Sequence, residues 1–282
     1  MTYWYEYGDS ARGQCVRIVD VPGTLSGDIL RLRQQLPEKP GHFEVDGNDI
    51  RELDHCLPHP DFVGDDSENV SEVMASLPLL QVDAAKHFLK KPKYNSEIQN
   101  LKKCQNGAVP GHSASRNIIQ LFGKSSNGEL VFEKLRPSQA TLALYSSLPI
   151  YKTWILQLLD CLECLHSFGI IHKDLRADNL LFSADASRLI LCDLESRWGE
   201  CQAPEASSDG GHEGSGWTAQ SDIYDVGNCI RNMAYGNNPI TPFIERPVPA
   251  PLQGIVDACQ REKPQDRPSI SELRLMVNNI VE

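Results

Sequence analysis

Several side chains in the stretch from Ile170 to Glu195, I-I-H-K-D-L-R-A-D-N-L-L-F-S-A-D-A-S-R-L-I-L-C-D-L-E, are of types that can do chemistry together. His172, Asp174 and Asn179 share one polar loop, and Asp193 closes a short apolar run further on. Two carboxylates and an amide converging on one edge of a hairpin can hold a divalent cation through hard oxygen ligands. The same arrangement leaves one carboxylate available as a base.

The chain must supply a hairpin for that convergence. Leu180–Phe182 and Leu189–Cys192 are apolar enough to be its strands, and the Ser- and Ala-rich segment between them is its turn. Upstream, Tyr151 to Phe168 places Ile155, Leu158, Leu159, Leu162 and Leu165 at helical spacing. That spacing predicts a buried helix ending near Gly169.

His172-Lys173-Asp174-Leu175, with Asn179 five residues after the acid, resembles the catalytic loop of the eukaryotic protein kinases, and Asp193-Leu194-Glu195 stands where their Asp-Phe-Gly stands. By that resemblance Asp174 accepts the proton of a substrate hydroxyl, while Asn179 and Asp193 hold magnesium against the phosphates of ATP. Arg176 occupies the position where serine/threonine kinases carry a Lys near the transferred phosphate. Two departures stand out. Lys173 keeps the charge of the usual Arg but loses its planar fork, and Glu195 replaces a flexible Gly with a charge beside the metal.

The likeness extends, more weakly, upstream. Gly64 is the one glycine of Gly64-Asp65-Asp66-Ser67-Glu68-Asn69-Val70, which sits where the kinase glycine-rich loop should be. Val82-Asp83-Ala84-Ala85-Lys86 resembles the strand carrying the ATP-anchoring lysine, with Ala84 two residues before Lys86 on the same face. Lys90 is a rival on that face; Lys86 is preferred because the gap from Lys90 to the next helix looks too short. Glu97 opens a short helix with Ile98, Leu101 and Cys104 on its buried stripe, and by the likeness pairs with Lys86. A strand pair then leads to Phe132 at the back of the nucleotide pocket, with Glu133 to Leu135 offering backbone hydrogen bonds to adenine. Ala203-Pro204-Glu205 matches the kinase Ala-Pro-Glu after a short activation segment, and Asp222 matches the acid that braces the catalytic loop. Arg267 is expected to form a buried ion pair with Glu205, and Ser269 with Glu272 reads as a capping box.

The fold expected is α+β and two-lobed: a protein kinase-like fold with a small β-rich N-lobe, its glycine loop reduced and its helix short, and a larger helical C-lobe. Residues 1 to 58 read as an N-terminal extension or a divergent addition to the N-lobe, 59 to 135 as the N-lobe, and 136 to 282 as the C-lobe. In the first segment Cys15–Val21 alternates like a strand, Ile29–Gln35 looks helical, and Asp46-Gly47 suggests a tight turn. The overall flavour resembles divergent fungal kinase-like proteins.

Composition bounds the function classes. The 282 residues carry a formal net charge of −11 with no basic stripe, which argues against nucleic acid or an anionic membrane as partner. Nine cysteines scattered through apolar segments suit reduced thiols better than a disulfide framework. Cys161 and Cys164 form a C-x-x-C inside a helical pattern, which makes them core residues. The N-terminus is unlike a signal peptide and no apolar run approaches membrane-spanning length, so a cytoplasmic or nuclear location is expected. Three functions stay open: an ATP- and magnesium-dependent kinase acting on a protein hydroxyl, Ser/Thr before Tyr; a pseudokinase that binds a protein partner; and a kinase-fold phosphotransferase acting on a small molecule.

Overall fold

In the computed structural model, the described residues are 2–6, 13–19, 40–46, 49–56, 66–106, 115–142, 144–145, 147–197, 203–206, 216–235 and 248–281. Gly64, the expected Ile29–Gln35 helix, the Ser/Gly-rich stretch 207–215 and most of the Pro- and Asn-rich stretch after Tyr235 lie outside them. The described residues fall into two compact units, one reaching Asp66 and the other starting at Ser67. The whole is mixed α+β, with small sheets and several helices.

The first unit contains a four-stranded sheet in the order β1 (Thr2–Glu6), β2 (Gly13–Val19), β3 (His42–Asp46) and β4 (Asp49–Leu53). β2 runs parallel to β3, with Val16 beside Phe43, and the other two pairings are antiparallel. Asp46 pairs with Asp49, so β3 and β4 form a two-residue hairpin at the Asp-Gly signal. Val16, Phe43 and Val45 are buried, and Arg17 pairs with the buried Glu44 across the parallel strands.

The first helix of the second unit is α1 (Ser71–Ala75), which follows the segment Gly64–Val70 that the likeness reads as the glycine-rich loop. Met74 of this short helix is buried in the core, and among the described residues β5 (His87–Lys90), β7 (Leu130–Glu133) and β6 (Leu121–Lys124) make a sheet of three strands, in that order. Ser-Glu-Val-Met-Ala has good helix formers and an apolar residue to bury. Helix α2 (Asn95–Asn106) packs its Ile98, Leu101 and Cys104 into the same core as Leu121, Leu130 and Phe132.

The larger part of this unit is built on α4 (Leu148–Ser167), whose broad apolar face is fully buried at Trp154, Ile155, Leu158, Leu159, Cys161, Leu162 and Leu165, while Asp160 and Glu163 stay partly exposed. A helix with so wide an apolar face packs into a core, and α5 (Ala219–Tyr235), α7 (Ile270–Asn278) and strand β10 (Leu189–Leu191) lie against it. Gly169 ends it at φ 70°, a left-handed turn that favours glycine. β10 pairs antiparallel with β9 (Leu180–Phe182), which pairs with the short β8 (Arg136–Pro137); α3 (Ser138–Leu142) follows β8, and α6 (Ala250–Cys259) packs on α5. Trp154 locks the hairpin to α4, its ring centroid 4.7 Å from that of Phe182 and its Nε1 donating to Ala186 O at 2.8 Å. Among the described residues no helix is long and apolar enough to cross a membrane.

Candidate active site

The hairpin does what the sequence predicts of it. Its turn is held by Asp185, whose carboxylate accepts from Ser183 Oγ at 2.5 Å and from Ser187 N at 3.1 Å, hydrogen bonds that keep its pKa down at about 2. The polar loop before β9 is braced from α5. Asp222 is fully buried and accepts from the backbone N–H of His172 at 2.9 Å and of Lys173 at 3.1 Å, while His166 Nε2 sits 2.8 Å away. His172 bridges the two halves of the site: Nδ1 accepts from Asp174 N at 3.3 Å, and Nε2 donates to Cys192 O at 3.0 Å. An acceptor at Nδ1 and a donor at Nε2 define one neutral tautomer, with the proton on Nε2.

Asp174 and Asn179 come together as expected. Asn179 donates through Nδ2 to Asp174 O at 2.7 Å and to Asp174 Oδ2 at 2.9 Å, and its own carbonyl accepts from Cys192 N at 3.0 Å. Its amide oxygen takes no part in these bonds, leaving the hard oxygen that a magnesium site needs. Arg176 reaches back over the loop, Nε 3.9 Å from Asp174 Oδ2 and Nη2 3.5 Å from Asp178. Lys173 and Asp193, both in the loop segments that carry the chemistry, adopt left-handed backbone at φ 67° and 63°. Such conformations cost non-glycine residues energy and persist where the surroundings impose them.

Lys90 occupies the centre of the site. Its ammonium lies 2.6 Å from Asp193 Oδ1, 2.8 Å from Glu97 Oε1 and 3.3 Å from Glu195 Oε1. The pairing expected between Glu97 and Lys86 is thus corrected: Lys86 is an exposed residue whose ammonium lies 3.7 Å from Asp83. The reason is local. Asp83 accepts from Ala85 N through its side chain and from Lys86 N and His87 N through its carbonyl, so Asp83-Ala84-Ala85-Lys86 is a turn and the strand starts at His87. The link from Lys90 to α2 is short, yet long enough, because Glu97 is the third residue of the helix and points back along it. Ala84 is exposed, and its carbonyl accepts from Lys134 Nζ. Phe88 takes the place two residues before the central lysine, 54% exposed and paired in register with the buried Phe132.

Burial alone would lower the pKa of Lys90, but Glu97 and Asp193 more than offset it and the net shift is upward. The acids shift upward as well: Glu97 through burial, opposed by Lys90, and Glu195 through burial and the charge of Asp193. At Glu97 and Glu195 the cost of burying a carboxylate outweighs the attraction of the one ammonium, while at Lys90 the attraction of the acids outweighs burial. One oxygen of Glu97, Oε2, is buried without a partner.

Two contacts that set this geometry were not anticipated. Asn100 Nδ2 donates to Leu194 O at 2.9 Å, and the Leu194 side chain is buried in the core, so the Asp-Leu-Glu segment is fastened to α2. Arg197 pairs with Glu68 and lies over the Tyr94 ring at 4.4 Å, while Glu68 also accepts from Asn95 N at the start of α2. Nothing in the local sequence announces either one, since the partners are far apart in the chain. At the back of the sheet, Phe132 is 2% exposed, the Glu133 carboxylate lies 3.7 Å from Arg188, Leu135 is partly buried, and Lys134 N donates to Lys86 O at 2.8 Å. The expected Glu205–Arg267 pair is present and bidentate, at 2.6 and 2.7 Å, with the Arg267 side chain fully buried.

No family model matches the chain. Among curated proteins it is similar to mitogen-activated protein kinase kinase kinase 7 of Homo sapiens, 24% identical over 209 residues, which cover 58% of this chain and 33% of that one. It is also similar to the MAP kinase kinase PBS2 of Saccharomyces cerevisiae, 30% identical over 119 residues, covering 37% and 18%. A third relative is mitogen-activated protein kinase kinase kinase 15 of Mus musculus, 26% identical over 199 residues, covering 56% and 15%. The chain therefore matches a third or less of the length of these relatives. They come from mammals as well as yeast, so they do not single out a fungal type. These relatives are named as protein kinases, and part of this chain is similar to them.

Proposed function

We propose that the chain is an ATP- and magnesium-dependent protein kinase that phosphorylates a hydroxyl, Ser or Thr before Tyr, on a protein substrate. The observation that carries the reading is the convergence of Glu97 and Asp193 on the Lys90 ammonium, at 2.8 and 2.6 Å, from α2, the end of the β9–β10 hairpin and β5. The small sheet with α2 would then be the N-lobe, and the helical part built on α4 the C-lobe.

The residues present fit the groups such an enzyme uses. Asn179 and Asp193 supply hard oxygens that would hold magnesium, and Lys90 supplies a fixed cation for phosphate oxygens. Bound there, magnesium neutralises charge on the transferring phosphate. Asp174 would accept the hydroxyl proton, kept in orientation by Asn179, and Arg176 beside it would face the incoming phosphate. Transfer of this kind rests on positioning and charge stabilisation, which this set of residues provides.

The scaffold reading has observations of its own. Glu195 adds a third carboxylate to Lys90, and Phe88 brings an aromatic ring where a small residue would leave room for a nucleotide base. The test is thermal unfolding with ATP or ADP, with and without magnesium, on wild type and Asp193→Ala, beside phosphate transfer to a generic protein substrate. A magnesium-dependent rise of several degrees that Asp193→Ala removes supports the kinase, since saturating ligand adds about 2.7 kcal/mol at a hundredfold excess over Kd. No rise at any nucleotide concentration favours the scaffold. Nucleotide binding with transfer to a small hydroxyl compound and to no protein would favour the small-molecule phosphotransferase.

A further inference from the structure

The first unit contains a cluster that the site above does not use. Cys15 of β2, His42 of β3 and Cys56 beyond β4 each place a ligand-type atom within 4.8 Å of the others. The sheet register brings them together. Val16 lies beside Phe43 across the parallel pair, which sets Cys15 next to His42, and His42 faces Leu53 across the hairpin, three residues before Cys56. Cys15 is fully buried, and His42 and Cys56 are half-buried.

We propose that Cys15, His42 and Cys56 form a zinc site, with two thiolates and one imidazole nitrogen as ligands and a fourth position open to water or another donor. The chemistry of the set is that of zinc: soft sulfur and borderline nitrogen, with no carboxylate to favour magnesium or calcium. Zinc–sulfur bonds of about 2.3 Å and zinc–nitrogen bonds of about 2.0 Å in tetrahedral geometry separate the ligand atoms by roughly 3.5–3.8 Å, so a contraction of about 1 Å or less closes the site. His42 Nδ1 accepts from Cys15 N at 3.2 Å, so its lone pair is engaged in that hydrogen bond, which a zinc–nitrogen bond at Nδ1 would replace. Metal binding would expel the protons of both thiols.

The remaining described cysteines of the second unit, such as Cys161, Cys229 and Cys259, sit in its apolar core and belong to no such ligand cluster.

The experiment uses the full chain, purified under reducing conditions, loaded with zinc and dialysed against metal-free buffer. Wild type is expected to retain about one zinc per chain, and Cys56→Ser and His42→Ala less than about a tenth of an equivalent. Cobalt(II) should give a thiolate-to-metal charge-transfer band with wild type, and zinc should protect Cys15 and Cys56, but not Cys192, from alkylation. The cobalt and alkylation measurements need only wild type, so they decide the matter if the variants fail to fold. Zinc content equal in wild type and variants, a cobalt spectrum without charge transfer, or a Cys15–Cys56 disulfide in the freshly isolated protein would each overturn the proposal.

Discussion

Glu195 Oε1 lies 3.3 Å from Lys90 Nζ, so the ammonium that faces Glu97 and Asp193 is shared with a third acid. A lysine that holds phosphate must be released from part of this competition when nucleotide binds. Glu195→Gln removes one negative charge beside both the lysine and the expected phosphates while keeping shape. Nucleotide affinity should then rise by about 3- to 10-fold, equivalent to roughly 0.7–1.4 kcal/mol. Titration calorimetry with magnesium and ADP reads this directly, and an unchanged or weaker affinity would show that Glu195 does not oppose the nucleotide.

Exchanging the two candidate lysines separates the site from the surface. Lys90→Met should abolish nucleotide-dependent stabilisation and reduce transfer by at least about 100-fold, because no other described cation lies among Asp193, Glu97 and Glu195. Lys86→Met removes an exposed ammonium 3.7 Å from Asp83 and should change stability by less than about 0.5 kcal/mol with activity intact. A reversed outcome in a paired kinetic assay would return the anchoring role to Lys86.

Asp174→Asn keeps an oxygen acceptor for the Asn179 amide, which donates to Asp174 Oδ2 at 2.9 Å, and removes the base. Transfer should fall by about 100- to 10,000-fold, with the unfolding midpoint moved by no more than a few degrees. Single-turnover transfer and a melting curve on the same preparation check both halves. Loss of transfer together with collapse of the midpoint would mean that the carboxylate supports the loop rather than the chemistry.

The Glu205–Arg267 pair predicts a stability change with a defined pH dependence. Arg267→Ala leaves Glu205 facing a buried void and should cost about 3–5 kcal/mol. Burial alone would raise the Glu205 pKa, but hydrogen bonds from Arg267 and Ser221 outweigh it and hold the carboxyl below its usual 4.5. A carboxylate depressed in the folded state stabilises above its unfolded pKa and loses that contribution as pH falls through the folded one. The stability difference between wild type and Glu205→Gln should therefore be full at neutral pH and shrink as pH drops below about 4.5. Urea unfolding across that range measures it, and a difference independent of pH would assign the effect to packing instead.

The sequence by itself determined the elements whose signal is local. The period of Ile155, Leu158, Leu159, Leu162 and Leu165 is enough for α4, the Ser-x-x-Glu spacing for the capping box at Ser269 and Glu272, and Asp46-Gly47 for the β3–β4 hairpin. The meeting of Asp174 and Asn179 was also legible, because one loop brings them together over a short stretch of chain. What only the tertiary structure decided depends on partners distant in sequence. Lys90 rather than Lys86 reaches Glu97 because an Asp83-centred turn delays the strand, and the alternation of a four-residue strand is too short to show where it starts. The grip of Asn100 on Leu194, of Arg197 on Glu68, and of Glu195 on Lys90 arises from packing across roughly a hundred residues, where no spacing rule operates. The meeting of Cys15, His42 and Cys56 is of the same kind: a parallel register between β2 and β3 sets it, and register is a property of the sheet rather than of any one strand.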